Sequence, residues 1–292
     1  MTNLLTIADL SREDLLAILA LSESSGLGRP LADKGVALVF EKPSARTRNS
    51  TEMAVVQLGG HPIVLRHDEI GIGSRETPED VARTLACYHA VIAARVFDHA
   101  ILEAMAAATP TPILNMLSNR AHPLQAFADL LTVRQLHGSL VGVKIAYVGD
   151  ANNVARSLAE ACSKLDVAMT IASPDGYGFG ADELAALPGV TQLSDPYEAV
   201  DGAQFVYTDV WVSMGQDAET ATRAAAFADY GVTADLMAHA DGAYFLHCLP
   251  AIRDGEVAAE VIDGPTSAVW RQAENRMHSA RGALAWMVGI RP

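Results

Sequence analysis

The chain alternates short apolar runs with longer stretches in which apolar residues recur at helical spacing. The short runs are rich in β-branched and aromatic residues, and the longer stretches are rich in Ala and Leu. This alternation is typical of βαβ units on a parallel sheet. We predict strands at VALVF (36–40), HPIVL (61–65), AVIAARV (90–96), PILNML (112–117), VKIAYVGD (143–150), VAMTIAS (167–173), GAQFVYTDV (202–210) and GAYFLHCLP (242–250).

The helical stretches indicate two halves joined by a long connector. HPLQAFADLLTVRQLHGSLVG reads as one long helix bounded by Gly138 and Gly142, and glycine commonly ends a helix. The sequence contains no internal repeat, low-complexity tract or long linker. Further helices are predicted at 49–60, 78–89, around 105–109, at 153–165, at 181–187 and over about the last 25 residues.

These elements predict an α/β fold with two domains, each a mainly parallel sheet flanked by helices, linked by two long helices. The first domain is expected to span 1–137 and to be completed by a C-terminal helix at 272–292, and the second to span 138–271. Ligands of such sheets lie at the carboxyl ends of the strands. We therefore expect a ligand cleft between the domains.

Composition and charge exclude some classes of protein. A formal net charge of -14 argues against a nucleic-acid partner, because phosphate backbones are bound by basic surfaces. A small anionic substrate is still compatible, since a few Arg residues in a cleft suffice. The 3 cysteines are far apart in the sequence, which favours a reducing compartment. No run approaches 18 apolar residues and the N-terminus has no basic leader, so we expect a cytoplasmic protein that does not enter the membrane.

The informative polar motifs all follow predicted strands. FEKPSARTR continues the strand at 36–40 into Ser44, Ala45, Arg46 and Thr47 and then into a helix. The N–H groups of a helix N-terminus, two hydroxyls and Arg side chains together favour an anion such as phosphate. The alternative is a capped helix start with solvated Arg residues.

A His and a Gln open the predicted connector helix. His122 and Gln125 are three residues apart, so both can point at one small polar group. Pro123 is typical of the first helical position, which makes His122 the cap residue. A buried structural histidine is the alternative.

Two motifs in the second half carry candidate ligands for an amino acid. YVGDANNVARS lacks the dinucleotide pattern G-x-G-x-x-G, so Asn153 suits a carboxylate or an amine better than a nicotinamide cofactor. TDVWVSMGQ places Asp209, Ser213 and Met214 after a strand, where Asp209 can bind a substrate ammonium group. An ordinary turn with a capping Asp is the alternative for the second motif.

FLHCLP places Cys248 at the end of an apolar strand. Pro250 should restrict Leu249 to extended geometry, and alternation along the strand should direct His247 to the opposite face from Cys248. Cys248 is therefore expected to position a ligand and not to act as a covalent nucleophile. Arg276, in AENRMH, is either a cleft residue or a partner in a surface ion pair.

Taken in order, FEKPSARTR, HPLQAFADLL, GDANN, DVWVSMGQ, HCLPA and AENRMH resemble the ornithine carbamoyltransferase family over essentially the whole chain. The resemblance implies carbamoyl phosphate and L-ornithine as substrates, L-citrulline and phosphate as products, and a carbamoyl-phosphate domain followed by an amino-acid domain. It also implies a homotrimer, or a multiple of trimers, whose sites lie near subunit interfaces. No cofactor is implied, and no metal-ligand cluster is visible in the sequence.

The resemblance also assigns roles to residues by position. The carbamoyl-phosphate site would contain Ser44, Ala45, Arg46, Thr47, Arg95, His122, Gln125, Cys248, Leu249 and Arg276. The ornithine site would contain Asn153, Asp209, Ser213 and Met214. The catalytic residues would be Arg95, His122, Asp209 and Cys248.

Two positions depart from the family pattern. Ala45 replaces the usual Thr, which removes one hydroxyl contact to phosphate. Gly71, in DEIGIGSRE, stands where some relatives have a polar residue that reaches a neighbouring subunit. The alternatives are a transcarbamylase for another amine, such as aspartate, putrescine or an acylated ornithine, and a catalytically silent paralogue.

Overall fold

The computed structural model describes residues 2–212 and 217–292. Its strands are β1 Gly35–Phe40, β2 His61–Arg66, β3 His89–Arg95, β4 Ile113–Leu117, β5 Lys144–Val148, β6 Ala168–Ala172, β7 Val190–Leu193, β8 Phe205–Thr208 and β9 Tyr244–His247. Its α-helices are α1 Arg12–Glu23, α2 Ala45–Gln57, α3 His67–Ile70, α4 Pro78–Ala86, α5 His99–Ala108, α6 Pro123–His137, α7 Asn153–Leu165, α8 Ala181–Ala185, α9 Pro196–Val200, α10 Thr220–Ala226, α11 Ala234–His239, α12 Ala259–Ile262 and α13 Val269–Met287. A short 3-10 helix spans Asp217–Glu219. Within the described ranges, none of these helices combines the length and apolar character needed to cross a membrane.

The chain packs as two compact units. Unit 1 consists of Met1–Leu131 and Glu274–Pro292, and unit 2 consists of Thr132–Ala273. The chain passes from one unit to the other twice, within α6 and within α13. The division predicted after residue 137 lies at the last residue of α6, and the division predicted after residue 271 lies in the first turn of α13.

Each unit contains one sheet in which every neighbouring pair of strands is parallel. The order is β2-β1-β3-β4 in unit 1 and β7-β6-β5-β8-β9 in unit 2. The predicted α/β class with mainly parallel sheets is therefore confirmed. β7 was not predicted, because Thr191 and Gln192 interrupt the apolar pattern of this short edge strand.

The central strands β1 and β3 are buried along nearly their full length, as expected for parallel sheets. In unit 1, Val39 of β1 and Ile92 of β3 share a core with Val81 of α4 and Leu102 of α5. Full burial of each such side chain stabilises the fold by about 1.5–3 kcal/mol. The sheets thus form a rigid support for the polar residues that follow the strands.

The strand register brings the ends of neighbouring strands side by side. Phe40, which ends β1, pairs with Arg95, which ends β3, and Arg95 is also paired with Leu117 at the end of β4. In unit 2, Thr208 at the end of β8 pairs with His247 at the end of β9. Polar residues just beyond these strands are therefore gathered at one edge of each sheet.

Candidate active site

The S-A-R-T motif is the start of α2, which begins at Ala45 and so earlier than predicted. Ser44 is the N-cap residue, and its hydroxyl accepts a hydrogen bond from the Thr47 backbone N–H over 3.4 Å. Serine is a favoured N-cap because it satisfies one of the unpaired N–H groups of the first turn. The cap fixes Thr47, which is only 1% exposed, in the first turn of a 13-residue helix.

Three side chains converge on the Thr47 hydroxyl. Ser44 Oγ lies 3.1 Å from Thr47 Oγ1, Arg95 Nη1 lies 3.3 Å away and Arg276 Nη2 lies 3.0 Å away. A hydroxyl oxygen accepts at most two hydrogen bonds, so donors outnumber acceptors at this point. Two guanidinium groups beside a helix N-terminus form an environment that favours an anion with several oxygens.

Gln125 and Asp129 hold Arg276 in place. Arg276 Nη1 donates to Gln125 Oε1 over 2.6 Å, and Gln125 Nε2 donates to Asp129 Oδ1 over 2.7 Å. All three side chains are buried. Arg276 is thus a buried member of this cluster and not a surface ion-pair partner, and Asp129 is a contributor that the sequence pattern did not reveal.

His122 lies directly before α6 and caps it through its backbone. Its carbonyl oxygen accepts hydrogen bonds from the N–H groups of Gln125 and Ala126 over 3.0 and 3.3 Å. Burial lowers the pKa of His122 well below its ordinary value of 6.5, and the positive charges of Arg276 and Arg95 lower this pKa further. The imidazole is therefore neutral at pH 7 and can donate one hydrogen bond to an oxygen that gains negative charge.

Ala45 and Arg46 lie at the exposed side of the motif. Ala45 and Ser44 line a cavity of about 940 Å³ that also contacts residues of β2 and α3. The Arg46 side chain is exposed and makes no hydrogen bond to another residue in the described part of the chain. Arg46 is therefore not part of the Thr47 cluster, which consists of Ser44, Thr47, Arg95 and Arg276. Gly71 ends α3 with a φ of 64°, a conformation that favours glycine.

Asp209 is the centre of the polar cluster in unit 2. Its Oδ2 accepts from Asn152 Nδ2 over 2.9 Å, and its Oδ1 accepts from the Cys248 thiol over 2.9 Å. Asn152 also caps α7, because its Oδ1 accepts from the N–H groups of Val154 and Ala155. Asn152 thus positions Asp209. The preference for Asn at helix N-caps is the signal that could have identified it.

Asn153, which was predicted as an ornithine ligand, is the first residue of α7 and is half-buried. Ser213 and Met214 lie outside the described residues. Arg223 and Asp150 form a buried ion pair over 2.7 Å, and Arg223 Nη1 also donates to the Trp211 carbonyl over 3.1 Å.

The turn after β9 corrects two predictions. Leu249 is not extended but has a φ of 60°, because its N–H donates to His247 Nδ1 over 2.8 Å and closes a tight turn. His247 does not lie apart from Cys248, since a ring nitrogen, the Cys248 sulfur and an Asp209 oxygen all lie within 4.8 Å of one another. The expected alternation fails because β9 ends at His247.

Asp209, His247 and Cys248 form one group of metal-ligand types among the described residues. Each is already engaged in a hydrogen bond. The thiol donates to Asp209, His247 Nδ1 accepts from Leu249, and His247 Nε2 lies 3.2 Å from a Glu256 oxygen. The polar atoms of the group are therefore satisfied without an ion.

The two units differ in charge. Unit 1 contains 16 Asp and Glu against 14 Lys and Arg, whereas unit 2 contains 19 Asp and Glu against 7 Lys and Arg. Unit 2 thus carries a formal charge of -12 out of the total of -14. This field favours a cationic ligand in unit 2, while the Arg residues of the Thr47 cluster favour an anionic ligand in unit 1.

Comparison with known proteins identifies a family for each half of the chain. Residues 2–135 match the profile of the aspartate/ornithine carbamoyltransferase carbamoyl-P binding domain, and residues 141–287 match that of the Asp/Orn binding domain. An ornithine carbamoyltransferase of Bacillus subtilis is 45% identical over 295 residues, which cover 97% of this chain and 92% of the relative.

Solved structures agree with these matches. An ornithine carbamoyltransferase from Pyrococcus furiosus superposes with a TM-score of 0.94 at 41% identity, covering 99% of this chain and 98% of the other. One from Thermus thermophilus gives 0.91 at 40% identity, with 98% of each chain covered. Because the matches extend over both halves and nearly the full length, this chain belongs to the aspartate/ornithine carbamoyltransferase family.

Proposed function

We propose that this protein transfers the carbamoyl group of carbamoyl phosphate to the side-chain amine of L-ornithine, giving L-citrulline and phosphate. The observation that carries the proposal is the convergence of Arg95, Arg276 and Ser44 on Thr47 at the start of α2. The relatives from Bacillus subtilis and Pyrococcus furiosus, both named ornithine carbamoyltransferase, support ornithine as the acceptor.

Carbamoyl phosphate is proposed to bind in unit 1. The phosphate would accept hydrogen bonds from the S-A-R-T segment and from the guanidinium groups of Arg95 and Arg276, which converge on Thr47. The carbamoyl oxygen would face Thr47, Arg95 and neutral His122. These donors are held in place before the reaction, so they stabilise negative charge that develops on that oxygen without reorganisation.

Ornithine is proposed to bind in unit 2. The Asp209 carboxylate is fixed by Asn152 and Cys248, and it is suited to an ammonium group of the substrate. Asn153, Ser213 and Met214 would complete the ornithine site. The thiol of Cys248 and the carbonyl of Leu249 would guide the side-chain amine, which must lose its proton before it can attack.

The proposed reaction forms one bond and breaks another. The amine nitrogen attacks the carbamoyl carbon, the bond from that carbon to the phosphate oxygen breaks, and the amine proton leaves to the departing phosphate. An alkyl amine has a pKa near 10.4, so about one ornithine molecule in 2,500 is the neutral nucleophile at pH 7. The rate is therefore expected to rise above neutral pH, and a flat profile from pH 6 to 9 with chemistry limiting would count against this mechanism.

The acceptor test compares L-ornithine, L-aspartate, putrescine and N-acetyl-L-ornithine side by side with carbamoyl phosphate as donor. We expect turnover with ornithine to exceed the others. The negative charge of unit 2 disfavours the two carboxylates of aspartate, N-acetyl-L-ornithine has no α-ammonium group for Asp209, and putrescine has no α-carboxylate for Asn153. A preference for another amine would reassign the acceptor. No turnover with any amine would favour a catalytically silent paralogue.

We also propose a cytoplasmic homotrimer, or a multiple of trimers. Met53 and Val56, three positions apart on one face of α2, are exposed apolar side chains that association would cover. The 3 cysteines are free, which suits a reducing compartment. Light scattering after size exclusion tests the assembly, and a monomeric mass at micromolar concentration would refute it.

A further inference from the structure

We propose that Asp129 is a positioning residue that sets the affinity for carbamoyl phosphate through Gln125 and Arg276. The inference rests on the proposed function, because it assumes that the Thr47 cluster binds the donor phosphate. Asp129 lies on α6, one turn beyond Gln125, and it would not itself touch the substrate.

The chemistry of the three groups fixes the orientation of the Gln125 amide. Arg276 can only donate, so the oxygen of the amide must face it, and this contact is 2.6 Å long. The Asp129 carboxylate accepts, so the amide nitrogen faces it over 2.7 Å. Arg276 and Asp129 therefore impose the same orientation on the amide, and Asp129 holds the end that points away from the guanidinium.

We call the two hydrogen bonds from Asp129 through Gln125 to Arg276 the relay, and burial strengthens both of them. Asp129 and Gln125 have no exposed surface, and Arg276 is 6% exposed, so water does not screen or replace these hydrogen bonds. The Asp129 charge polarises the amide and makes Oε1 a better acceptor for Arg276. With Nη1 held by Gln125, Arg276 Nη2 is directed at Thr47 Oγ1 over 3.0 Å.

Removal of the Asp129 carboxylate should weaken the binding of carbamoyl phosphate and leave the binding of ornithine unchanged. Without Asp129 as acceptor, the Gln125 amide N–H group is left unpaired in a buried site, so the side chain can turn away from the guanidinium. Arg276 would then leave the position from which it reaches Thr47. In Asp129→Leu the KM for carbamoyl phosphate should rise about tenfold or more, which matches the loss of a charge-assisted hydrogen bond. The KM for ornithine, measured at saturating carbamoyl phosphate, should stay within about twofold of wild type.

Asp129→Asn keeps a hydrogen-bond acceptor at this position but removes the negative charge. Its Oδ1 can still accept from Gln125, so the KM for carbamoyl phosphate should rise only about fivefold, the difference between a charge-assisted and a neutral bond. Leu130→Ala is the structural control, because Leu130 is a buried neighbour on the same helix. This variant should lower the melting temperature while leaving both KM values unchanged.

Inorganic phosphate provides a readout that does not depend on turnover. The rise in melting temperature that phosphate causes should shrink in Asp129→Leu and less so in Asp129→Asn. A wild-type KM and a wild-type phosphate effect in Asp129→Asn, or in Asp129→Leu, would overturn the inference, as would equal effects on both substrates. If Asp129→Leu does not fold, Asp129→Asn alone decides. A wild-type protein that forms no citrulline would instead refute the proposed function, and the phosphate measurement would still test the relay.

Discussion

Cys248 donates its thiol proton to Asp209 Oδ1 over 2.9 Å, so the sulfur is a protonated donor and the carboxylate is its acceptor. A thiol in this role positions a ligand and does not attack it. Asn152, which donates to the other oxygen of Asp209, completes the support. The hydrogen bond between Cys248 and Asp209 therefore joins the turn after β9 to the carboxylate that is proposed to bind the amino acid.

Cys248→Ser is expected to keep most of the activity, because a hydroxyl can still donate to Asp209. Cys248→Ala removes the donor and should lower kcat/KM for ornithine about tenfold. Steady-state rates with carbamoyl phosphate saturating measure both effects. Complete loss of activity in the Ala variant, with a carbamoyl adduct on the wild-type sulfur seen by mass spectrometry, would show that Cys248 is a nucleophile.

Thr47→Val tests the role of the Thr47 cluster in binding carbamoyl phosphate. Valine has nearly the same shape but no hydroxyl, so Arg95 and Arg276 lose their shared acceptor and the substrate loses a donor. The KM for carbamoyl phosphate should rise about tenfold to a hundredfold, while the KM for ornithine changes little. Thr51→Val is the matched control, because it makes the same substitution at a buried position one turn further along the helix whose hydroxyl has no hydrogen-bond partner among the described residues, and it should leave both constants unchanged. An equal loss for the two substrates would place Thr47 outside the donor site.

Ala45→Thr tests the departure from the family pattern. Ala45 is exposed at the first position of α2, so a threonine side chain can be accommodated there. One added neutral hydrogen bond to phosphate should lower the KM for carbamoyl phosphate by a few-fold to about tenfold. No gain in affinity would mean that the hydroxyl at this position does not reach the phosphate.

The stability of the fold should depend on pH through His122. Burial, with Arg276 and Arg95 adding to it, holds the pKa of His122 well below 6.5 in the folded protein. The unfolded chain therefore binds this proton first, so the stabilisation is fully present above about pH 6.5 and is lost as the pH falls below that value.

His122→Gln removes this titration. The free energy of unfolding, measured by urea denaturation between pH 7 and 5, should fall less steeply in the variant than in wild type. His89, His99 and His278 also have pKa values lowered first by burial, so both proteins should still lose some stability. Parallel curves would show that His122 does not contribute.

The sequence predicted the features that depend on local pattern. Strand ends follow from apolar runs, and the polar residues beyond them meet because parallel strands end at the same edge. Side-chain contacts between segments that are far apart in the sequence could not be predicted in this way. Nothing near Arg276 or Arg223 in the chain identifies Gln125 and Asp150 as their partners, because these contacts span 151 and 73 residues of sequence. The His247 prediction was wrong because strand alternation was extended one residue beyond the end of β9.

Carbon-13 NMR of the reaction tests the central claim most directly. Carbamoyl phosphate labelled at the carbamoyl carbon is mixed with L-ornithine and the protein, and the labelled resonance is followed over time. We predict that it is replaced by the ureido resonance of citrulline at a rate proportional to protein concentration, and that Arg276→Gln slows this conversion strongly. Decay of the label to products of hydrolysis alone, at the rate seen without protein, would contradict the account.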